Sequence, residues 1–141
     1  MPYRYLEKVA TADLAFEAEA ETLDDLFREG AKALTDAMVN IKGIKPHKKK
    51  IVRIVENSIE RLFYNWLEEL VFMKDAELLL FSKFDTKVRE ENGKYHLEAV
   101  MHGEKLRKRH EQKIDVKAIT LHMFEVRKKG RHWFARVVVD I

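Results

Sequence analysis

The stretch Asn57 to Asp75, N-S-I-E-R-L-F-Y-N-W-L-E-E-L-V-F-M-K-D, constrains the fold more than any other part of the chain. Ile59, Leu62, Phe63, Trp66, Leu67, Leu70 and Val71 recur at helical spacing, which gathers them on one stripe of an α-helix. Glu60, Arg61, Asn65, Glu68, Glu69 and Lys74 take the opposite side. Asn57 is placed to act as N-cap, with Glu60 three residues on as the second half of a capping pair. Each Leu, Phe or Val buried on that stripe contributes about 1.5 to 3 kcal/mol, so the helix must lie on a broad apolar surface. The flanking segments read as the sheet that provides one.

Tyr3 to Glu7 is short and aromatic, a first strand. Leu14, Phe16, Ala18 and Ala20 then alternate with Ala15, Glu17, Glu19 and Glu21, the pattern of a half-buried strand. Thr22 opens a helix as N-cap, with Asp24 and Asp25 in the turn where the helix dipole favours anions. Leu23, Leu26, Phe27, Ala31, Leu34, Ala37 and Met38 form its inner stripe, and Gly30 beside them permits close approach of a neighbour. Ile51, Val52, Ile54 and Val55 predict a strand before the organising helix. Leu78 to Val88 and Tyr95 to Met101 flank Asn92-Gly93, a strong hairpin signal. Gly103 to Lys113 reads as a polar loop, Ile114 to Val126 as extended chain, and Trp133 to Ile141 as a last strand. The expected fold is α+β, with two amphipathic helices packed on a mostly antiparallel β-sheet in a single domain over residues 1–141.

The residues present exclude several chemistries. The absence of Cys removes disulfides, thiolate nucleophiles and Cys-based zinc sites. The glycines at 30, 43, 93, 103 and 130 are too scattered for a phosphate-cradling loop. Ser58 and Ser82 lie in no nucleophile-elbow context. His96 and His102 share a strand face but stand roughly 20 Å apart at strand rise, too far for one ion. His122, between apolar neighbours, is expected to be structural, and His110, in the basic loop, to be solvated. No apolar run approaches the twenty residues of a membrane span, and no leader precedes the first strand, which leads to the expectation of a cytoplasmic protein. Charged residues make up 36% of the chain although the net charge is only +3, and they are segregated. Lys42 to Lys50 and Lys105 to Lys113 are basic, whereas Glu17 to Asp25 is acidic.

Asp13 precedes the second strand, and Asp140 with the carboxylate of Ile141 closes the last one. Were the two ends neighbours, these oxygen donors would converge, and hard oxygen donors suit Ca²⁺ or Mg²⁺. An ordinary loop aspartate and a frayed end is the other reading of the same residues.

T-A-D-L at Thr11 to Leu14, T-L-D-D-L-F at Thr22 to Phe27, N-W-L-E-E-L at Asn65 to Leu70 and L-L-F-S-K-F at Leu79 to Phe84 resemble the archease family. So do Gly103-Glu104, His110, V-K-A-I-T-L-H at Val116 to His122 and R-V-V-V-D-I at Arg136 to Ile141. The resemblance covers nearly the whole chain in order. It implies a non-catalytic accessory protein for a GTP-dependent RNA ligase, one that joins 2′,3′-cyclic or 3′-phosphate ends to 5′-hydroxyl ends in tRNA splicing and RNA repair. Such a protein would promote ligase guanylylation and repeated turnover with a divalent metal, Ca²⁺ or Mg²⁺, held by Asp13, Asp140 and Ile141. Ala10 stands where the family usually has His. A runner-up reading is an RNA-binding module that contacts tRNA through Lys42 to Lys50 and Lys105 to Arg109. A third is a chaperone-like adaptor working through the acidic run without metal.

Overall fold

The apolar stripe forms the longer of two helices in a computed structural model that describes residues 2–6 and 13–141. The elements in order are β1 (Tyr3–Leu6), β2 (Asp13–Ala20), α1 (Leu23–Met38), a 3-10 turn (Ile41–Gly43), β3 (Lys48–Glu56), α2 (Ile59–Glu77), β4 (Leu79–Glu91), β5 (Lys94–Lys105), β6 (Ala118–Ile119), β7 (Glu125–Lys129) and β8 (His132–Asp140). The α+β reading holds, with the strands divided between two sheets in which every pairing is antiparallel. One sheet runs β1-β2-β8-β6, with β7 continuing along the same edge of β8; the other runs β3-β5-β4. Each helix touches strands of both sheets, so the core lies between them.

Trp66, Leu62, Phe63, Leu67 and Met73 of α2 are fully enclosed, as the periodicity requires. The Trp66 indole N–H donates to the Phe27 carbonyl of α1 at 3.0 Å, which satisfies the one polar group that this large side chain carries into the core. Phe27 and Phe63 meet edge to face with centroids 4.9 Å apart. The crossing is close because Gly30 faces the Phe63 ring, whose Cζ would sit 2.5 Å from a Cβ at that position.

Thr22 caps α1 as expected, its hydroxyl accepting from the Asp25 N–H at 3.1 Å. The cap of α2 is Ser58 and not Asn57: the Ser58 hydroxyl accepts from the Arg61 N–H at 3.2 Å, and the helix begins at Ile59. Both residue types cap well, and the adjacent serine takes the position. At the other end Leu78 adopts a left-handed conformation, φ 56°, and its N–H donates to the Lys74 carbonyl. Asn92 and Gly93 both have positive φ, 54° and 77°, as a two-residue hairpin turn demands.

The polar-loop and extended readings of the third quarter need correction. β5 continues to Lys105, and Gly103 packs against a bulge of β4 so closely that a Cβ there would lie 1.9 Å from the Leu80 carbonyl oxygen. The chain from Ile114 to Val126 is not one strand. It pairs over Ala118–Ile119 only, then turns at His122-Met123, with Met123 at φ 56°, before β7. His122 is exposed in that turn and not structural.

Candidate functional site

The pairing of β2 with β8 puts the beginning of one strand against the end of the other. Its register runs without interruption from Asp13 opposite Asp140 to Ala20 opposite Trp133. Leu14, Phe16 and Ala18 on β2 and Ala135, Val137 and Val139 on β8 face the core. Side chains alternate along a strand, so Asp13 and Asp140 share the other face. Directly opposed residues in an antiparallel pair have Cβ atoms about 5 Å apart, which places the two carboxyl groups side by side.

β6 fixes Asp140 from its other flank. Ala118 is its register partner there, and the Lys117 N–H donates to the Asp140 carbonyl at 2.8 Å. Asp140 is thus held in the middle of three strands, and Ile141 follows with its side chain packed against the core. Asp13 and Asp140 are both half-buried, and among the described residues neither carboxylate has a hydrogen-bond or ion-pair partner. Two opposed anions repel unless a cation lies between or beside them. The donors are all hard oxygens, and with the Ile141 carboxylate they make a partial ligand set of the kind Ca²⁺ or Mg²⁺ completes with water or a partner's oxygens. Among the described residues no group of three His, Cys, Asp or Glu side chains is arranged to hold an ion. Ala10 and the Thr11-Ala12 part of the T-A-D motif lie outside the described residues.

A second polar cluster escaped the sequence reading. Glu104 is 5% exposed and His110 6%, the latter with its side chain fully enclosed, so His110 is not solvated. Glu104 Oε2 accepts from the Lys45 N–H at 2.6 Å and faces His110 Nε2 at 3.0 Å, while Oε1 accepts from Arg109. His110 Nδ1 accepts the Arg107 N–H at 2.7 Å, so the ring proton sits on Nε2 and is donated to Glu104. Burial alone would raise the Glu104 pKa. The Lys45 amide, His110 and Arg109 outweigh that and hold it down at about 2. The cluster ties the loop after β5 to the segment after α1, and it uses Arg109 internally. Lys50 is likewise paired, with Glu77 at 3.2 Å. The two basic segments are therefore only in part available to an external partner.

Lys74, almost buried in α2, donates to the Asp115 carboxylate at 2.8 Å and to the Val116 carbonyl at 2.7 Å. These bonds, with that of the Lys113 N–H to Met38, guide the chain into β6 and so toward Asp140. The hydrogen bond and charge of Lys74 hold the Asp115 pKa below its ordinary value. No described helix is long and apolar enough to cross a membrane.

Two antiparallel sheets bridged by two helices, with the carboxylates of Asp13 and Asp140 opposed where β2 and β8 pair, define an α+β fold. The chain belongs to the Archease protein family, whose model matches residues 3–141. It is 34% identical over 131 residues to the protein archease of Methanothermobacter thermautotrophicus, covering 93% of this chain and 94% of that one. Its identity to the protein archease of Pyrococcus furiosus is 37% over 134 residues, with the same coverage. The solution structure of Methanobacterium thermoautotrophicum protein 1598 superposes with a TM-score of 0.88 at 32% identity, covering 99% of both chains. A crystal structure of an archease from Thermotoga maritima, described as a possible chaperone, shares the fold with a TM-score of 0.63 at 17% identity and coverage of 98% and 99%.

Proposed function

We propose that this protein is a non-catalytic activator of a GTP-dependent RNA ligase that joins 3′-phosphate or 2′,3′-cyclic phosphate ends to 5′-hydroxyl ends in cytoplasmic tRNA splicing and RNA repair. Membership of the archease family supports an accessory role. The observation that carries the reading is the Asp13–Asp140 register, which brings two carboxylates from opposite ends of the chain to one point. Asp13, Asp140 and the carboxylate of Ile141 would hold a divalent ion, Ca²⁺ or Mg²⁺, with coordination positions left over for a partner's oxygens. The ion supplies charge stabilisation near phosphate groups when bound. The strands do the positioning: β2 and β6 clasp Asp140 from both sides, so the carboxylates are fixed before the ligase is met, and little ordering remains to oppose binding.

The test is a ligase guanylylation assay with GTP, run with and without this protein across a Mg²⁺ and Ca²⁺ titration. The protein should raise the guanylylation rate and permit repeated turnover in a metal-dependent manner. Asp13→Ala, or extension of the chain past Ile141, should abolish the stimulation without unfolding the protein. Undiminished stimulation by Asp13→Ala would remove the carboxylates from the mechanism. Stimulation that needs no metal would favour a chaperone-like adaptor.

A further inference from the structure

The β3-β5-β4 sheet buries one face against the helices and leaves the other uncovered. Val52, Leu97, Ala99, Met101 and Phe84 belong to the core. The register places the remaining residues in rows across the open face: Lys49–His102–Lys83, Ile51–Val100–Asp85, Arg53–Glu98–Lys87 and Val55–His96–Arg89. Five Lys or Arg side chains therefore stand against two acids. Arg53 pairs with Glu98 at 2.9 Å and Arg89 with Glu91 at 3.2 Å, whereas Lys49, Lys83 and Lys87 have no carboxylate partner among the described residues. Lys49 and Lys83 flank His102 in one row, two strands and about 10 Å apart. A trough of about 440 Å³ at one end is lined by Arg53, Lys87, Arg89 and His96 together with the acids Asp24 and Glu98. At the other end a groove of about 400 Å³ is lined by Lys48, Lys49 and Lys105, by the Lys50–Glu77 pair, and by Leu79 and Phe81.

We propose that this open sheet face, centred on Lys49, Lys83 and Lys87, binds the phosphodiester backbone of single-stranded RNA. The choice of RNA rests on the ligase-activator reading, while the polyanion specificity rests on the face itself. Alternate residues on a strand lie about 6.7 Å apart, so an extended polyanion running along β4 meets Lys83, passes Asp85, and then meets Lys87 and Arg89, with Lys49 and Arg53 two strands away on β3. No Phe, Tyr or Trp stands in the four rows to stack a base, so the contact is mainly with the backbone. An acidic protein partner fits less well. Tight protein interfaces are anchored by large side chains in desolvated pockets, and the exposed Ile51 and Val55 stand apart on either side of Arg53. The surface differs from the basic loop after β5, where Arg109 is held by Glu104.

The experiment is fluorescence anisotropy of a labelled, mixed-sequence single-stranded RNA with a 5′-hydroxyl, titrated with the full-length protein at NaCl concentrations from about 50 to 200 mM. Each phosphate contact on a single strand contributes about 0.7 to the slope of log affinity against log salt. The triple variant Lys49→Ala, Lys83→Ala, Lys87→Ala should lower that slope by about 2 and weaken binding about 100-fold at 0.1 M salt. Arg107→Ala with Lys108→Ala should leave both nearly unchanged. Absent or salt-insensitive binding, wild-type affinity in the triple variant, or an equal loss in the loop variant would each overturn the proposal. Guanylylation is measured without RNA, so intact stimulation beside absent RNA binding refutes this surface alone. Loss of stimulation in the triple variant, with no RNA binding by the wild type, would instead assign the face to the ligase.

Discussion

Replacing Glu104 by Gln tests whether the buried cluster after β5 contributes stability through its charge. The amide keeps the shape but offers one acceptor where the carboxylate has two. If its oxygen stays with Lys45 N–H and His110 Nε2, its NH₂ meets the Arg109 guanidinium, donor against donor. The carboxyl is held at about 2 against an ordinary 4.5, and a group with a depressed folded pKa stabilises above its unfolded pKa and loses that contribution as pH falls through the folded value. The difference amounts to about 3 kcal/mol at neutral pH and shrinks to about 1 kcal/mol at pH 3, where the wild-type carboxyl is the last of the two states to protonate. Glu104→Gln mimics the protonated wild type, so urea unfolding followed by Trp fluorescence should show it less stable by about 3 kcal/mol at pH 7 and by only about 1 kcal/mol at pH 3. Other acids titrate in both proteins and cancel. A difference that is the same at both pH values, or below about 0.5 kcal/mol at pH 7, would refute the charge-based explanation.

Three further outcomes are expected. Gly30→Ala should cost about 1 to 3 kcal/mol, because the new methyl must displace the Phe63 ring, and Gly103→Ala should cost more, because its methyl meets the Leu80 carbonyl, which is backbone and cannot rotate away. Thermal melts of the two variants rank them. Leu78→Gly should stabilise by about 0.5 to 1 kcal/mol, since Leu78 is exposed and left-handed at φ 56°, and a loss of stability in the same melt would contradict the cap reading. Lys74→Met should raise amide hydrogen exchange between residues 113 and 119 relative to α1, because the Asp115 and Val116 anchors are removed.

Periodicity was a reliable guide where a segment's own pattern decides its burial. The stripe from Ile59 to Val71, the alternation from Leu14 to Ala20 and the Asn92-Gly93 turn all appear in the structure where local chemistry placed them. It misled where long-range packing decides. His110 sits in a segment of cations and reads as solvated, yet Glu104 buries it; the visible signal was a lone Glu close before a His in that basic stretch. Ile114 to Val126 has enough β-branched residues for a strand, but only Ala118–Ile119 and, after the turn, Glu125–Val126 pair with β8. The division into two sheets is also a matter of pairing, which composition does not encode. Residue chemistry showed only that Asp13 and Asp140 are acidic residues near strand ends, and their meeting depended on a register across almost the whole chain. The resemblance to archeases groups them as ligands of one ion, and the register shows that they stand opposite each other. The basic sheet face was hidden for the same reason: Lys49, Lys83 and Lys87 come from separate segments and are neighbours only in the folded sheet.

Calorimetric titration of Ca²⁺ and of Mg²⁺ into the wild-type protein and into Asp13→Asn is the sharpest examination of the paired carboxylates. One ion per chain should bind the wild type and raise its melting temperature, while Asp13→Asn, freed of the opposed charge, should melt slightly higher without metal and gain nothing from it. Equal ion binding by both proteins, or none by the wild type, would show that the meeting of Asp13 and Asp140 is not a metal site.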